Sequence, residues 1–126
     1  MGTFNVTVEV AAGPDGPFEA MEALVDTGAT FSLVPASILR RLGIEPTHRR
    51  RFMIADGSSV ERDAGWGMFR IDGLESPSLV IFGDEGAWPL LGAFTLEAFG
   101  LGVDPVQQEL IPVDGYLVGI RMDNGS

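Results

Sequence analysis

One aspartate in this sequence stands where chemistry could be done. Asp26 ends the apolar run Ala23-Leu24-Val25 and enters a turn of small and hydroxylated residues, Thr27-Gly28-Ala29-Thr30. A carboxylate delivered by an apolar strand into such a turn is ionisable, rigidly held and close to backbone. Gly28 lets the chain turn away and another backbone approach, and the hydroxyls of Thr27 and Thr30 can brace the loop. The same residue types also describe an Asx-type turn that merely closes a hairpin, so the tripeptide by itself leaves both readings open.

Composition narrows the competing chemistries. There is no cysteine and a single histidine, His48. Disulfides, thiolate nucleophiles and thiolate metal sites are therefore excluded, and a zinc site would have to be built from carboxylates against zinc's preference for nitrogen and sulfur. Asp84-Glu85 and Asp104 are read as solvated turns, so no metal is expected. His48 lies in the charged run His48-Arg49-Arg50-Arg51, away from any candidate nucleophile, and that run is read as a solvated turn. With 18 acidic against 8 basic residues the formal charge is −10, which repels a phosphate backbone and argues against nucleic acid. The same field would steer basic peptides inward. No window approaches the ~20 apolar residues of a membrane helix and no signal-peptide pattern is visible. The expectation is no membrane partner and a cytoplasmic location.

The elements that must position Asp26 are mostly strands. Phe4, Val6, Val8 and Val10 alternate with polar residues, the period of a half-buried strand over 3–10. Gly13-Pro14-Asp15-Gly16-Pro17 forces a turn, and 18–25 reads as the second strand of a hairpin. Residues 31–34 form a short apolar run, Pro35 suits the first turn of a helix, and Ile38, Leu39 and Leu42 give that helix one apolar side before a Gly43 cap. Residues 51–54 and 60 onward flank the turn Asp56-Gly57-Ser58-Ser59 as a hairpin. Further strands are expected at 67–71, 79–82, 101–103, 110–113 and 116–122. Thr95 is read as the N-cap of a short helix that ends at Gly100. Leu39-x-x-Leu42-Gly43-Ile44 is echoed by Leu96-x-x-Phe99-Gly100-Leu101, which suggests a pseudo-symmetric β domain. Trp66 and Trp88 could line a pocket but are read as core or interface residues. The 17 glycines and 8 prolines fit many turns between short strands. The length of 126 residues fits one domain of the usual ~100–150 residues, 1–126, with a core over about 4–113 and residues 123–126 frayed.

Context around Asp26 goes beyond a turn. An apolar strand runs into Asp26-Thr27-Gly28-Ala29, a Gly-tipped hairpin follows, and Leu90-Leu91-Gly92 precedes a short helix. This combination resembles the retroviral-type, retropepsin-like aspartic proteases, and the segment 90–105 looks like that of their prokaryotic single-domain members. The resemblance implies an all-β fold with one or two short helices, a closed or partly open acid-protease β-barrel forming a single lobe. It implies an aspartic endopeptidase that needs no cofactor. Since such a chain carries one Asp-Thr-Gly where pepsin-like enzymes carry two, it also implies a homodimer acting on a peptide or protein substrate. Carried over residue by residue, Asp26, Thr27 and Gly28 are catalytic, with Thr27 fixing the two loops across the dimer. Gly28, Ala29 and the flap-tip residues Ala55, Asp56, Gly57 and Ser58 contact substrate, and Leu90, Leu91 and Gly92 pack behind the loop. Two departures stand out. Ala93 and Phe94 occupy the positions after Gly92 where viral and ubiquitin-shuttle relatives place Arg or Asp, and the flap tip is polar. The polar tip motivates an alternative: a dimeric peptide-binding module of the same fold with little or no turnover.

Overall fold

The computed structural model describes residues 3–119 and 121. Its order is β1 (Phe4–Ala11), β2 (Glu19–Val25), β3 (Ser32–Pro35), α1 (Ala36–Arg41), β4 (Pro46–Met53), β5 (Ser59–Ile71), β6 (Leu74–Gly83), β7 (Leu90–Leu91), α2 (Ala93–Phe99), β8 (Leu101–Asp104) and β9 (Glu109–Pro112). The fold is mostly β with two short helices. Strands β1-β2-β7-β3-β6-β5 hydrogen-bond in that order, and β5 pairs back onto β1 through Glu9↔Arg70, Val10↔Phe69 and Ala11↔Met68. That last pairing closes a six-stranded barrel and leaves no open edge within it.

Closure depends on the length of β5. Its first part pairs with β4 (Met53↔Ser59 to Pro46↔Gly65), and its second part pairs with β6 (Ala64↔Ile81 to Ile71↔Leu74). One strand therefore serves both the barrel and the hairpin that projects from it. Asp72 (φ 50) and Gly73 (φ 81) make the two-residue β5–β6 turn, the left-handed pair that matches strand twist.

Alternation puts Val8, Val10, Ala23, Val25, Phe69, Ile71, Val80 and Leu91 inside, where Leu39, Ile44 and Leu96 from the helical segments seal the barrel. A smaller cluster of Ala64, Leu79 and Ile81, joined by Phe31, Leu33 and Phe52, sits under the β4–β5 hairpin. Both helices stop at a left-handed glycine, Gly43 (φ 89) and Gly100 (φ 68), where a side chain would be strained. After α1 the Gly43 N–H reaches the Arg40 carbonyl at 3.0 Å and the Ile44 N–H reaches that of Leu39 at 2.9 Å, the paired bonds of a Schellman motif.

Several expectations are corrected. His48-Arg49-Arg50-Arg51 is not a turn but the exposed middle of β4, because the strand borders the barrel and solvates its outer side. Thr95 is not an N-cap: Gly92 holds that position, and Thr95 is fully buried one turn inside α2. Trp66 and Trp88 are 50% and 57% exposed, which corrects only the core half of the core-or-interface expectation. Residues 116–119 form no strand and leave Tyr116, Leu117 and Val118 largely exposed, since no strand among the described residues pairs with them. The rest of the strand expected over 116–122, apart from Arg121, lies outside the described residues, as does the expected fraying of 123–126. No helix among the described residues is long and apolar enough to cross a membrane.

Candidate active site

Strand β7 is the element that positions Asp26. It lies between β2 and β3, parallel to β2 through Leu24↔Leu90 and Val25↔Leu91 and antiparallel to β3 through Leu33↔Leu90. The chain leaving β2 cannot enter β3 directly, so residues 26–31 must arch over the end of β7. The Asp26 N–H extends the ladder to the Leu91 carbonyl at 3.0 Å, and the Ala29 N–H turns back to the Asp26 carbonyl at 3.1 Å. Asp26 is half-buried, Thr27 and Gly28 are exposed, and the Asp26 Oδ1 accepts the Gly28 N–H at 2.9 Å. That bond fixes the carboxylate plane. A Cβ on Gly28 would stand 3.2 Å from the same oxygen, crowding the group that does the chemistry.

The far side of the loop is held by the start of α2. The Ala93 and Phe94 N–H groups donate to the carbonyls of Ala29 (2.9 Å) and Thr30 (2.8 Å), and the Gly92 N–H donates to the Ser32 Oγ at 3.0 Å. Ser32 in turn meets Thr95 Oγ1 at 2.5 Å, and Thr95 meets Ser78 Oγ at 2.8 Å. All three hydroxyls are buried, so each needs its partners. This chain of hydroxyls ties β3, β6 and α2 to the loop. Gly92 is required by close approach: a Cβ there would lie 2.7 Å from the Phe31 carbonyl and 2.9 Å from the Ala29 oxygen. Neither Thr27 nor Thr30 makes a side-chain hydrogen bond among the described residues, so the bracing expected of their hydroxyls comes instead from main chain and from Ser32.

Beside the loop lies a cavity of about 440 Å³, lined by Ala29, Thr30, Phe31, Leu33, Phe52, Ile54, Val60, Arg62, Ile81, Gly83, Asp84, Ala87 and Leu90. The β4–β5 hairpin forms its roof. Among the residues named from sequence, Ala29 and Leu90 line it, while Ala55, Asp56, Gly57 and Ser58 sit exposed at the hairpin tip. Phe52, Ile54, Val60 and Arg62 belong to the hairpin read from sequence as a flap over the substrate, roughly 52–62, whereas Phe31, Leu33 and Ile81 were not anticipated. Ile81 reaches the cavity only through tertiary pairing. An aromatic ladder runs along this side: Trp66 to Phe94 (6.4 Å), Phe94 to Phe31 (5.9 Å) and Phe31 to Phe52 (6.2 Å).

The hairpin tip is built by its own hydrogen bonds. Gly57 takes φ +88, and the Ile54 N–H donates to the Ser58 carbonyl at 2.9 Å. Asp56 Oδ1 accepts the Ser58 hydroxyl at 2.6 Å and the Ser58 N–H at 2.9 Å. The hydroxyl first, and the N–H after it, hold the Asp56 carboxyl below its ordinary value of 3.8. At the hairpin root Arg62 grips Asp84 with two bonds of 2.9 and 3.0 Å. Glu85 caps α1 through the Ser37 N–H and hydroxyl at 3.1 and 2.7 Å, and Asp104 caps its own turn through the Val106 and Gln107 N–H groups. These acids serve turns and anchors, and no group of three or more potential metal ligands occurs among the described residues.

The sequence model of the aspartyl protease family matches residues 6–93, which is well over half of the chain. This chain belongs to the aspartyl protease family. Its barrel is similar to the solution structure of the simian foamy virus (mac) protease, with a TM-score of 0.56 and 18% identity over 75% of this chain and 92% of that one. No curated protein matches the sequence. Sequence family and fold thus agree on a retropepsin-like aspartyl protease, with Asp26 inside the matched segment and the cavity on the barrel side that the hairpin covers.

Proposed function

We propose that this aspartyl protease is an endopeptidase active as a homodimer, with Asp26 of each subunit sharing one water. The observation that carries the reading is a carboxylate fixed by the Gly28 N–H at the exposed edge of the molecule, beside an apolar cavity roofed by a hairpin. Peptide hydrolysis needs a base for the attacking water and an acid for the departing amine. One chain supplies a single such carboxylate. Two carboxylates brought together across a two-fold axis cannot both ionise cheaply, so they hold one proton between them, as aspartic proteases in general do. The ionised member takes a proton from water as it attacks the carbonyl carbon, and the protonated member gives its proton to the leaving nitrogen.

Exposure of Thr27 and Gly28, a Thr27 hydroxyl with no partner among the described residues, and the exposed stretch Tyr116-Leu117-Val118 all suit an isologous interface. An extended substrate would lie between cavity and hairpin as an added strand. Gly28 and Ala29 would contact it from below, and Ala55, Asp56, Gly57 and Ser58 from the tip, while Leu90, Leu91 and Gly92 support the loop. We read the chain as a single domain with its core over about 4–113.

The test is a digest of a peptide library by the wild-type protein and by Asp26→Asn, with sedimentation of both. Cleavage lost by at least ~10³-fold in an unchanged dimer is expected. Cleavage that survives the substitution would overturn the assignment. Peptide binding by the wild type with no products would instead favour the peptide-binding module suggested by the polar tip.

A further inference from the structure

We infer that Arg50 is a specificity-determining residue that selects a carboxylate on the substrate. The inference rests on the peptide cleft proposed above and concerns what that cleft prefers. Side chains on β4 and β5 alternate between the hairpin's two faces. Phe52 and Val60, paired across the strands, line the cavity; two residues further along, Arg50 and Arg62 are paired on the same face. Two like charges directly opposite each other are destabilising. Asp84 neutralises Arg62 with a two-pronged bond. Arg40, Arg41, Arg49, Arg62 and Arg70 all form ion pairs with carboxylates; among the described residues Arg50 forms none, and nor does Arg51, which points to the opposite face of β4.

Arg50 is nevertheless held in place. Its guanidinium lies 4.7 Å over the ring of Phe31, a wall residue of the cavity. Attraction to the ring occupies none of its N–H donors in a hydrogen bond to oxygen, and Arg50 donates no side-chain hydrogen bond among the described residues. A fork of free donors matches a carboxylate. One positive charge is therefore left uncompensated on the cleft face of a chain whose formal charge is −10. The general field favours basic peptides at long range, but the group nearest the cavity favours an acidic one. A carboxylate bound there would give Arg50 the counter-charge that Asp84 already gives Arg62. The apolar cavity and this cation together describe a substrate with a large apolar side chain and a carboxylate close to it in the chain.

The experiment uses fluorogenic peptides in which each position flanking an apolar residue is in turn Glu, Gln or Lys. At low salt one position should show a Glu:Gln ratio in kcat/KM of about fivefold, the scale of a solvent-accessible charge pair, falling as salt rises. Arg50→Gln should bring that ratio to about one, and Arg50→Glu should turn it in favour of Lys. Arg51→Gln, on the other face of the same strand, should leave it unchanged. A preference that survives C-terminal amidation belongs to a side chain; one that amidation removes belongs to the chain terminus. Absence of any Glu preference, or an equal loss in Arg51→Gln, overturns the inference. Binding of the same peptides to Asp26→Asn separates the two proposals. Products without Glu preference would sink this inference alone, and Glu-selective binding without products from the wild type would sink the protease reading alone.

Discussion

Replacing Gly92 by alanine should damage the site more than its size suggests. Gly92 has φ −100, which any residue can adopt, so the substitution strains no backbone angle of its own. The added Cβ would instead lie 2.7 Å from the Phe31 carbonyl, and relief to ordinary contact at 3.4 Å requires a shift of about 0.7 Å. The obstructing atoms are backbone of the Asp26 loop, so no rotamer change can make room. The displacement would loosen the Ala93 to Ala29, Phe94 to Thr30 and Gly92 to Ser32 hydrogen bonds together. Overpacking costs about 1–3 kcal/mol, and each weakened bond up to about 1 kcal/mol. A loss of ~3 kcal/mol corresponds to a Tm lower by roughly 10 °C. Because a misplacement near 1 Å costs on the order of 10²-fold in rate, kcat should fall by about that factor. The assay is thermal melting at fixed protein concentration, since dimerisation couples to stability, together with peptide cleavage. Gly83→Ala is the control. Its Cβ would meet Leu33 Cδ2 at 2.5 Å and Cγ at 2.9 Å, a side chain rather than the backbone of the Asp26 loop, so it should cost about 1–3 kcal/mol of packing without loosening the loop's hydrogen bonds. A Gly92→Ala protein that melts within about 2 °C of wild type and cleaves within about threefold would refute the claim that β7 and α2 hold the loop.

Two further outcomes follow from the hydrogen bonds. Thr95→Val keeps the side-chain shape but deprives the buried Ser32 and Ser78 hydroxyls of a partner, so it should destabilise by about 1–3 kcal/mol in a denaturant titration; a neutral result would mean the hydroxyl chain is not needed. Asp56 has its folded pKa depressed, so its contribution to the hairpin tip is present above the ordinary value of 3.8 and is lost as pH falls through the lower folded value. The Ser58 amide proton should therefore keep one chemical shift from pH 7 down to pH 5 and titrate only below about 3.8; a transition near neutrality would refute the geometry of the tip.

Much of the hairpin and the Asp26 turn was legible because local chemistry decides both. Asp56-Gly57 demands a positive φ, and the apolar-to-Asp26 transition marks the end of a buried strand. The misread segments were those whose environment comes from elsewhere in the chain. Arg49 and Arg51 look like loop residues until β5 pairs with them, and Thr95 looks like a helix cap until Ser32 and Ser78 meet it inside the protein. The strand pattern of residues 116–118 goes unused because β-structure needs a neighbour, and none of the described strands pairs with this segment.

By itself the sequence determined that a single aspartate of the right kind sits at a strand end, with a glycine-tipped hairpin and Leu90-Leu91-Gly92 at matching distances along the chain. These are facts of spacing and side-chain type. Tertiary structure alone decided that Leu90-Leu91 threads between the strands flanking Asp26, that a carbonyl so near Gly92 leaves no room for a Cβ, and that Arg50 lies over Phe31 while Arg62 is already taken by Asp84. Each of these depends on pairing between residues tens of positions apart, which is set by barrel closure rather than by any local preference.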